Sequence, residues 1–454
     1  MKPQSALVGE LVRLAAPVAA IQVGMMAMGV VDTVMVGRSS ATDLAAVALG
    51  NLYWFTAVVF GMGSLFALDP LVSQAVGADD PEGVARSVQR GLVLSVLFGL
   101  LAMGVLLTAG PVLRWLHQPD DVIPVAVGYC RAALGGAWPF LAFVVLRQTL
   151  QALGVLRPIV WVVVLANLLN VLLNWLLVFG HAGLPALGAV GTGIASTISR
   201  WVMLAGVVAL AWGSLRQSLR PVRAGVLRAG PMARMLRLGT PVGLHMAFEY
   251  GAFAITGLLM GALGTVAVAS HQIALNLAAL TFMVPVGISQ ATAVLVGRAV
   301  GRGNGEEAGR AARAGLALGG AFMVVSAVVF LTVPELLARG YTDQAVVLSL
   351  TVQLIPIAGV FQIVDGLQVV AAGALRGTGD TRVPMIAGAL GFYAVGLPVG
   401  FALSRNGAGP QGLWWGLAVG LGAVAFFLLL RVWHRFAGDL ERIQIEEPTG
   451  SLGS

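Results

Sequence analysis

Two acids stand inside apolar stretches that offer a carboxylate no obvious partner. Asp365 lies in IPIAGVFQIVDGLQVVAAGALRG, roughly 16 Å of helix before Arg376. Glu249 lies about 18 Å of helix after Arg237, in GTPVGLHMAFEYGAFAITGLLMGAL. Both depths approach the middle of a hydrocarbon layer ~30 Å thick. An ionised side chain there costs roughly 3 kcal/mol, which marks it as a functional-site candidate. His245 shares the face of Glu249 one turn back, and Gln362 and Gln368 flank Asp365 three residues away on either side. The eighth apolar stretch adds His271, Gln272 and Asn276. Two carboxylates among amides suit a cation: a proton, a sodium ion or a protonated amine. Na+ at Glu249 and Asp365 is the metal reading these residues allow, while His245 and Glu249 at i, i+4 without a third ligand make a weak metal site.

A second group stands nearer the other face. Asp32 lies about 9 Å of helix before Arg38, and with Asn170, Asn174 and Thr197 it predicts a second cation site. The alternative pairs Asp32 with Arg38 or water. Met25, Met26, Met28, Tyr53, Trp54, Phe55, Phe248, Tyr250 and Phe361 are expected to line a pocket for flat cations through ring and thioether contacts. Ordinary packing is the competing reading for each of them.

The elements that position these residues are membrane helices. With 58% hydrophobic and 10% charged residues, the chain departs from soluble domains, which carry about 25% charged residues. Twelve apolar stretches long enough to span a bilayer fall at roughly 11–36, 44–68, 91–110, 122–146, 159–180, 189–212, 239–262, 267–293, 314–334, 345–372, 385–403 and 411–432. The expected fold is an all-α integral membrane protein.

The pI near 10.4 does not indicate nucleic acid, because the basic residues are distributed unevenly. With both termini inside, the inner connections and termini hold 21 of the 27 Lys and Arg. The outer connections hold only Arg38, Arg114, Arg339 and Arg405, and Arg131 and Arg200 lie in spans. That asymmetry predicts cytoplasmic termini and an even number of spans. The lone Cys130 excludes an internal disulfide framework and reads as a packing residue.

Shifting the chain by 224 residues lays its first half on its second. Leu14 meets Leu238, Pro17 meets Pro241, Gly37 meets Gly261, Gly77 meets Gly301, Glu82 meets Glu306 and Arg86 meets Arg310. Six spans per copy make two parallel six-helix repeats, and transporters place their substrate path where such repeats meet. The expected domains are a six-helix lobe over 1–212, a linker over 213–238, a second six-helix lobe over 239–432 and a tail over 433–454. Arginines at three- to five-residue spacing predict an amphipathic surface helix on anionic lipid across 213–236, with nucleic-acid or protein binding as the alternative. The polar end of the tail, 441–454, is expected to be disordered.

VDTVMVG at 31–37, HQIALNLAALTFMVPVGISQATAVLVGRAVG at 271–301 and QVVAAGALRGTGDT at 368–381 resemble the multidrug and toxic compound extrusion (MATE) transporters, especially their NorM-like bacterial branch. The resemblance implies a two-lobed monomeric antiporter of the bacterial inner membrane. It would export small organic cations and drugs in exchange for H+ or Na+, with no cofactor beyond that ion. It makes Glu249 and Asp365 the coupling acids and Asp32 the acid of the N-terminal lobe. Phe361 stands where sodium-binding relatives often carry Tyr, and Asn174 where relatives using the N-terminal site carry Asp. Both departures remove oxygen ligands or charge and favour protons. Three rivals remain: a lipid-linked glycan flippase, a channel and an intramembrane enzyme. The first would need cations such as Arg200 and Arg131 in its cleft, and the last lacks HExxH and GxSxG motifs.

Overall fold

The computed structural model describes residues 4–445, and no strand occurs among them. Eleven helical segments are long and apolar enough to cross a membrane. The last of them, Arg382–Ala437, is 56 residues long and holds two crossings. Non-helical backbone at Asn406 and Gly407 divides it. The resulting twelve spans are Gln4–Val36, Ala41–Gly77, Pro81–Leu107, Val122–Leu153, Arg157–Phe179, Gly188–Leu210, Ala229–Ala262, Thr265–Gly301, Gly305–Thr332, Ala345–Gly377, 382–403 and Gly409–Ala437.

Helix limits repeat with the 224-residue shift. Ala41–Gly77 and Thr265–Gly301 are both 37 residues long and superpose end to end in number. The third and ninth spans start about ten residues before their apolar stretches, at Pro81 and Gly305. Their start is set by capping. Asp80 accepts from the Gly83 N–H, and its repeat mate Asn304 accepts from the Glu307 N–H. Such caps satisfy orphan first-turn donors, whereas hydropathy marks only the length sunk in lipid.

The chain forms two compact units. One contains the described residues up to Ala19, Ser73–Ala78 and those from Leu244 onward; the other contains Ala20–Val72 and Asp79–Gly243. The breaks at 19/20 and 243/244 are again 224 residues apart. Each follows an in-helix proline, Pro17 or Pro241, where an i→i−4 hydrogen bond is lost.

Within the first unit, the ends of the second and eighth spans cross at contact distance. A Cβ on Gly77 would strike the Arg298 carbonyl, and one on Gly301 would strike the Gln74 carbonyl. These two clashes are repeat mates of each other, so the crossing has local two-fold character. Gln74 also donates to the Gly377 carbonyl at 2.9 Å and accepts from the Ile443 N–H at 2.8 Å. The tail is therefore held at Ile443, contrary to the expectation of disorder from 441; residues 446–454 of that expectation lie outside the described residues.

Within the second unit, the linker is not one surface helix. A short helix covers Trp212–Leu219, Pro221 follows, and the seventh span already begins at Ala229. Proline cannot donate to a helical ladder, which ends the expected helix. Cys130 is buried in this unit.

Candidate functional site

The two mid-span acids of the second repeat come together through one amide. Gln368 is fully buried on the tenth span. Its Nε2 donates to Glu249 Oε1 at 3.1 Å and to Asp365 Oδ1 at 3.2 Å. The two acid oxygens are thus no more than about 6 Å apart, where two full charges repel by about 3 kcal/mol at an effective dielectric of 20. One added positive charge removes that repulsion. The arrangement has the chemistry to take up a small cation or a proton.

The other amides that sequence spacing groups with these acids do not hydrogen-bond to them. Gln362 accepts from Thr281 Oγ1 at 3.0 Å and Ser326 Oγ at 2.7 Å. Gln272 is exposed. Neither it nor Asn276 makes a side-chain hydrogen bond among the described residues. His245 is buried against Gly388, and His271 lies edge-on to the Trp414 ring at 5.5 Å. Phe361, expected to line a pocket, is sealed against Trp414 with ring centroids 5.4 Å apart. Phe248 packs on Tyr393, whose hydroxyl donates to the Phe248 carbonyl at 3.1 Å, and Tyr250 is half-buried.

Among the described residues, no three His, Cys, Asp or Glu side chains gather to hold a metal ion. Gln368 presents N–H, not oxygen, to the acids. The two carboxylates are the charged oxygen donors at this point, and the Gln368 carbonyl oxygen beside them is buried with no hydrogen-bond partner among the described residues.

In the second unit, Asp32 is buried beside Asn170 and Asn174. Asn174 Nδ2 donates to Asp32 Oδ1 at 2.8 Å, and Ser196 Oγ donates to Asp32 Oδ2 at 2.6 Å. Thr197 is not part of this cluster; its hydroxyl donates to the Ala132 carbonyl. Ser196, which sequence reasoning passed over, takes its place. The available signal was helical phase, since Ser196 lies one turn before the buried Arg200. Arg38 is exposed and does not appear as the partner of Asp32. Arg200 instead stacks its guanidinium 3.6 Å from the Trp54 ring centroid, and Phe140 closes the edge of that ring at 5.1 Å. Trp54 is thus already occupied by an internal cation. Met28 is buried, and the sulfur of Met25 accepts from Arg147 at 3.4 Å. Three of the expected pocket residues, Met28, Trp54 and Phe361, are therefore core.

Twelve spans in two repeats, with paired acids sunk at mid-span, define a multi-pass membrane transporter. The MatE family model matches residues 17–176 and again 241–402, and the two matches start 224 residues apart, the shift seen in the sequence. The chain belongs to this family of MATE transporters, which are generally secondary active exporters and not enzymes. Its fold is similar to that of the eukaryotic MATE transporter AtDTX14, with a TM-score of 0.88 at 22% identity over 96% of this chain and 98% of that one. It is similar to a mutant of the Vibrio cholerae MATE transporter VcmN (TM-score 0.86, 20% identity, 96% and 98% covered). A MOP superfamily transporter from Pyrococcus furiosus matches with a TM-score of 0.85 at 18% identity, over 95% and 96% of the two chains.

Proposed function

We propose that this transporter exports organic cations and drugs from the bacterial inner membrane in exchange for H+, with Na+ as the second candidate ion. The observation that carries the reading is the single Gln368 amide reaching both Glu249 and Asp365. In one cycle, an ion entering from the periplasm loads this pair and displaces a bound cation outward; return to the inward-facing state releases the ion. The cycle needs no other cofactor, and each monomer carries the pair. Protons are preferred because the pair offers few oxygen ligands.

One charge moving through ~100 mV supplies about 2.3 kcal/mol, against about 1.4 kcal/mol for a tenfold uphill gradient. One proton exchanged for one monocation cancels the electrical contribution, and two protons restore it. The flippase reading is disfavoured by the same side chains it would require. Arg200 is buried and committed to Trp54.

The test is uptake of a fluorescent cationic dye in proteoliposomes with independently imposed pH and Na+ gradients. Dye movement driven by a pH gradient alone supports proton exchange. Movement that needs Na+ reassigns the ion, and movement driven by neither gradient overturns the antiport reading.

A further inference from the structure

From 213 to 238 the linker carries six arginines and no acid, and its tip is held at a defined height on the third span. Gln89 Nε2 donates to the carbonyls of Ser218 at 3.1 Å and Pro221 at 3.0 Å, and Gln89 Oε1 accepts from the Arg223 N–H at 2.8 Å. The buried Arg90 donates to the carbonyls of Val226 and Gly225, each at 3.2 Å. Arg223 pairs with Glu82 at 3.0 Å. Gln89 and Arg90 immediately precede Gly91, where the apolar stretch of the third span begins. The loop is therefore anchored beside the first residues of that apolar stretch, where hydropathy places the end of the hydrocarbon layer.

That anchoring also decides which side chains point out. Leu215 and Val226 are buried, whereas Val222 is 80% and Leu227 74% exposed. Neither lies in a span, so contact of a helix face with hydrocarbon does not account for them. Arg216, Arg220 and Arg228 are exposed on the same stretch, and Arg220 lies over the Trp212 ring at 5.8 Å. Apolar tips among cations, at the level of the headgroups, are the chemistry of insertion into an anionic membrane surface. Free phosphate would use the arginines but not the apolar tips.

We propose that residues 212–228 form an anionic-phospholipid binding site, with Val222 and Leu227 entering the acyl boundary and Arg216, Arg220 and Arg228 holding the headgroups. The site is separate from the Glu249–Asp365 pair, and its test does not involve transport.

The full chain carrying Cys130→Ser and Leu227→Cys is labelled with an environment-sensitive fluorophore. It is reconstituted in phosphatidylcholine vesicles with or without phosphatidylglycerol, and Val222→Cys serves as a second labelling position. With phosphatidylglycerol, the label is expected to shift to the blue and to be quenched by shallow spin-labelled lipid. Arg216→Gln, Arg220→Gln and Arg228→Gln should each weaken the dependence on phosphatidylglycerol about fivefold. A water-like label in both vesicles overturns the proposal, as does equal quenching without phosphatidylglycerol. A shift reproduced by inorganic phosphate alone, or one that requires added soluble protein, also overturns it.

Discussion

Gln368→Met gives the sharpest test of the paired-acid site. Methionine keeps the length and unbranched shape of glutamine, so the fully buried position stays filled. What it removes is the amide that donates to Glu249 at 3.1 Å and to Asp365 at 3.2 Å. Hydrogen bonds to charged acceptors contribute about 1.5–3 kcal/mol each, and bonds this long belong at the lower figure. Two of them stabilise the ion-free pair by about 3 kcal/mol, or about a hundredfold at about 1.4 kcal/mol per decade. These donors compete with the incoming cation. Their loss should therefore lower the driving-ion concentration that half-saturates dye export by ten- to a hundredfold. The maximal rate should fall as well, because the ion leaves more slowly. The assay is initial dye flux against ion concentration in proteoliposomes at clamped potential. A rise in the half-saturating concentration would refute the reasoning, because it would make Gln368 a ligand through its carbonyl oxygen, which has no protein partner.

Glu249→Gln and Asp365→Asn should each abolish gradient-driven export while the protein still inserts and purifies normally; export surviving both changes removes the pair from the mechanism. Ser196→Ala leaves Asp32 Oδ2 without its 2.6 Å donor and should cost about 1–3 kcal/mol, read as a lower melting temperature in detergent. Thr197→Val should cost less, and equal losses would contradict the assigned pairing. Gly77→Val and Gly301→Val drive a side chain into a backbone carbonyl across the crossing and should destabilise by about 1–3 kcal/mol or more. Because the contacts are repeat mates, the two melting curves should shift together, and parental melting of either variant would show the crossing to be loose. Arg90→Met removes both donors from the linker carbonyls and should speed tryptic cleavage at Arg228; an unchanged cleavage rate would show that the clamp is dispensable.

The number of spans, their repeat and the place of Glu249 and Asp365 inside long apolar helices were legible in the chain because the bilayer acts as the solvent. It selects apolar length directly, and it makes a lone carboxylate at mid-span conspicuous whatever its neighbours. The starts of the third and ninth spans were not legible from hydropathy, because Asp80 and Asn304 act by capping helix ends beyond the lipid. Gln362 and Gln368 have the same spacing from Asp365 and opposite fates. One is tied to Thr281 and Ser326, the other to the acids. Ser196 and Thr197 differ by one position, and only the former reaches Asp32.

By itself, then, the sequence determined what crosses the membrane, how often and in which repeated order. These follow from transfer energies and chain length, which are local sums along the chain. Tertiary structure alone decided which side of each helix meets which neighbour. That rotation is set by contacts from distant segments, such as Gly77 on the Arg298 carbonyl or Arg200 on the Trp54 ring, and periodicity within one helix groups residues on a face without naming their partner.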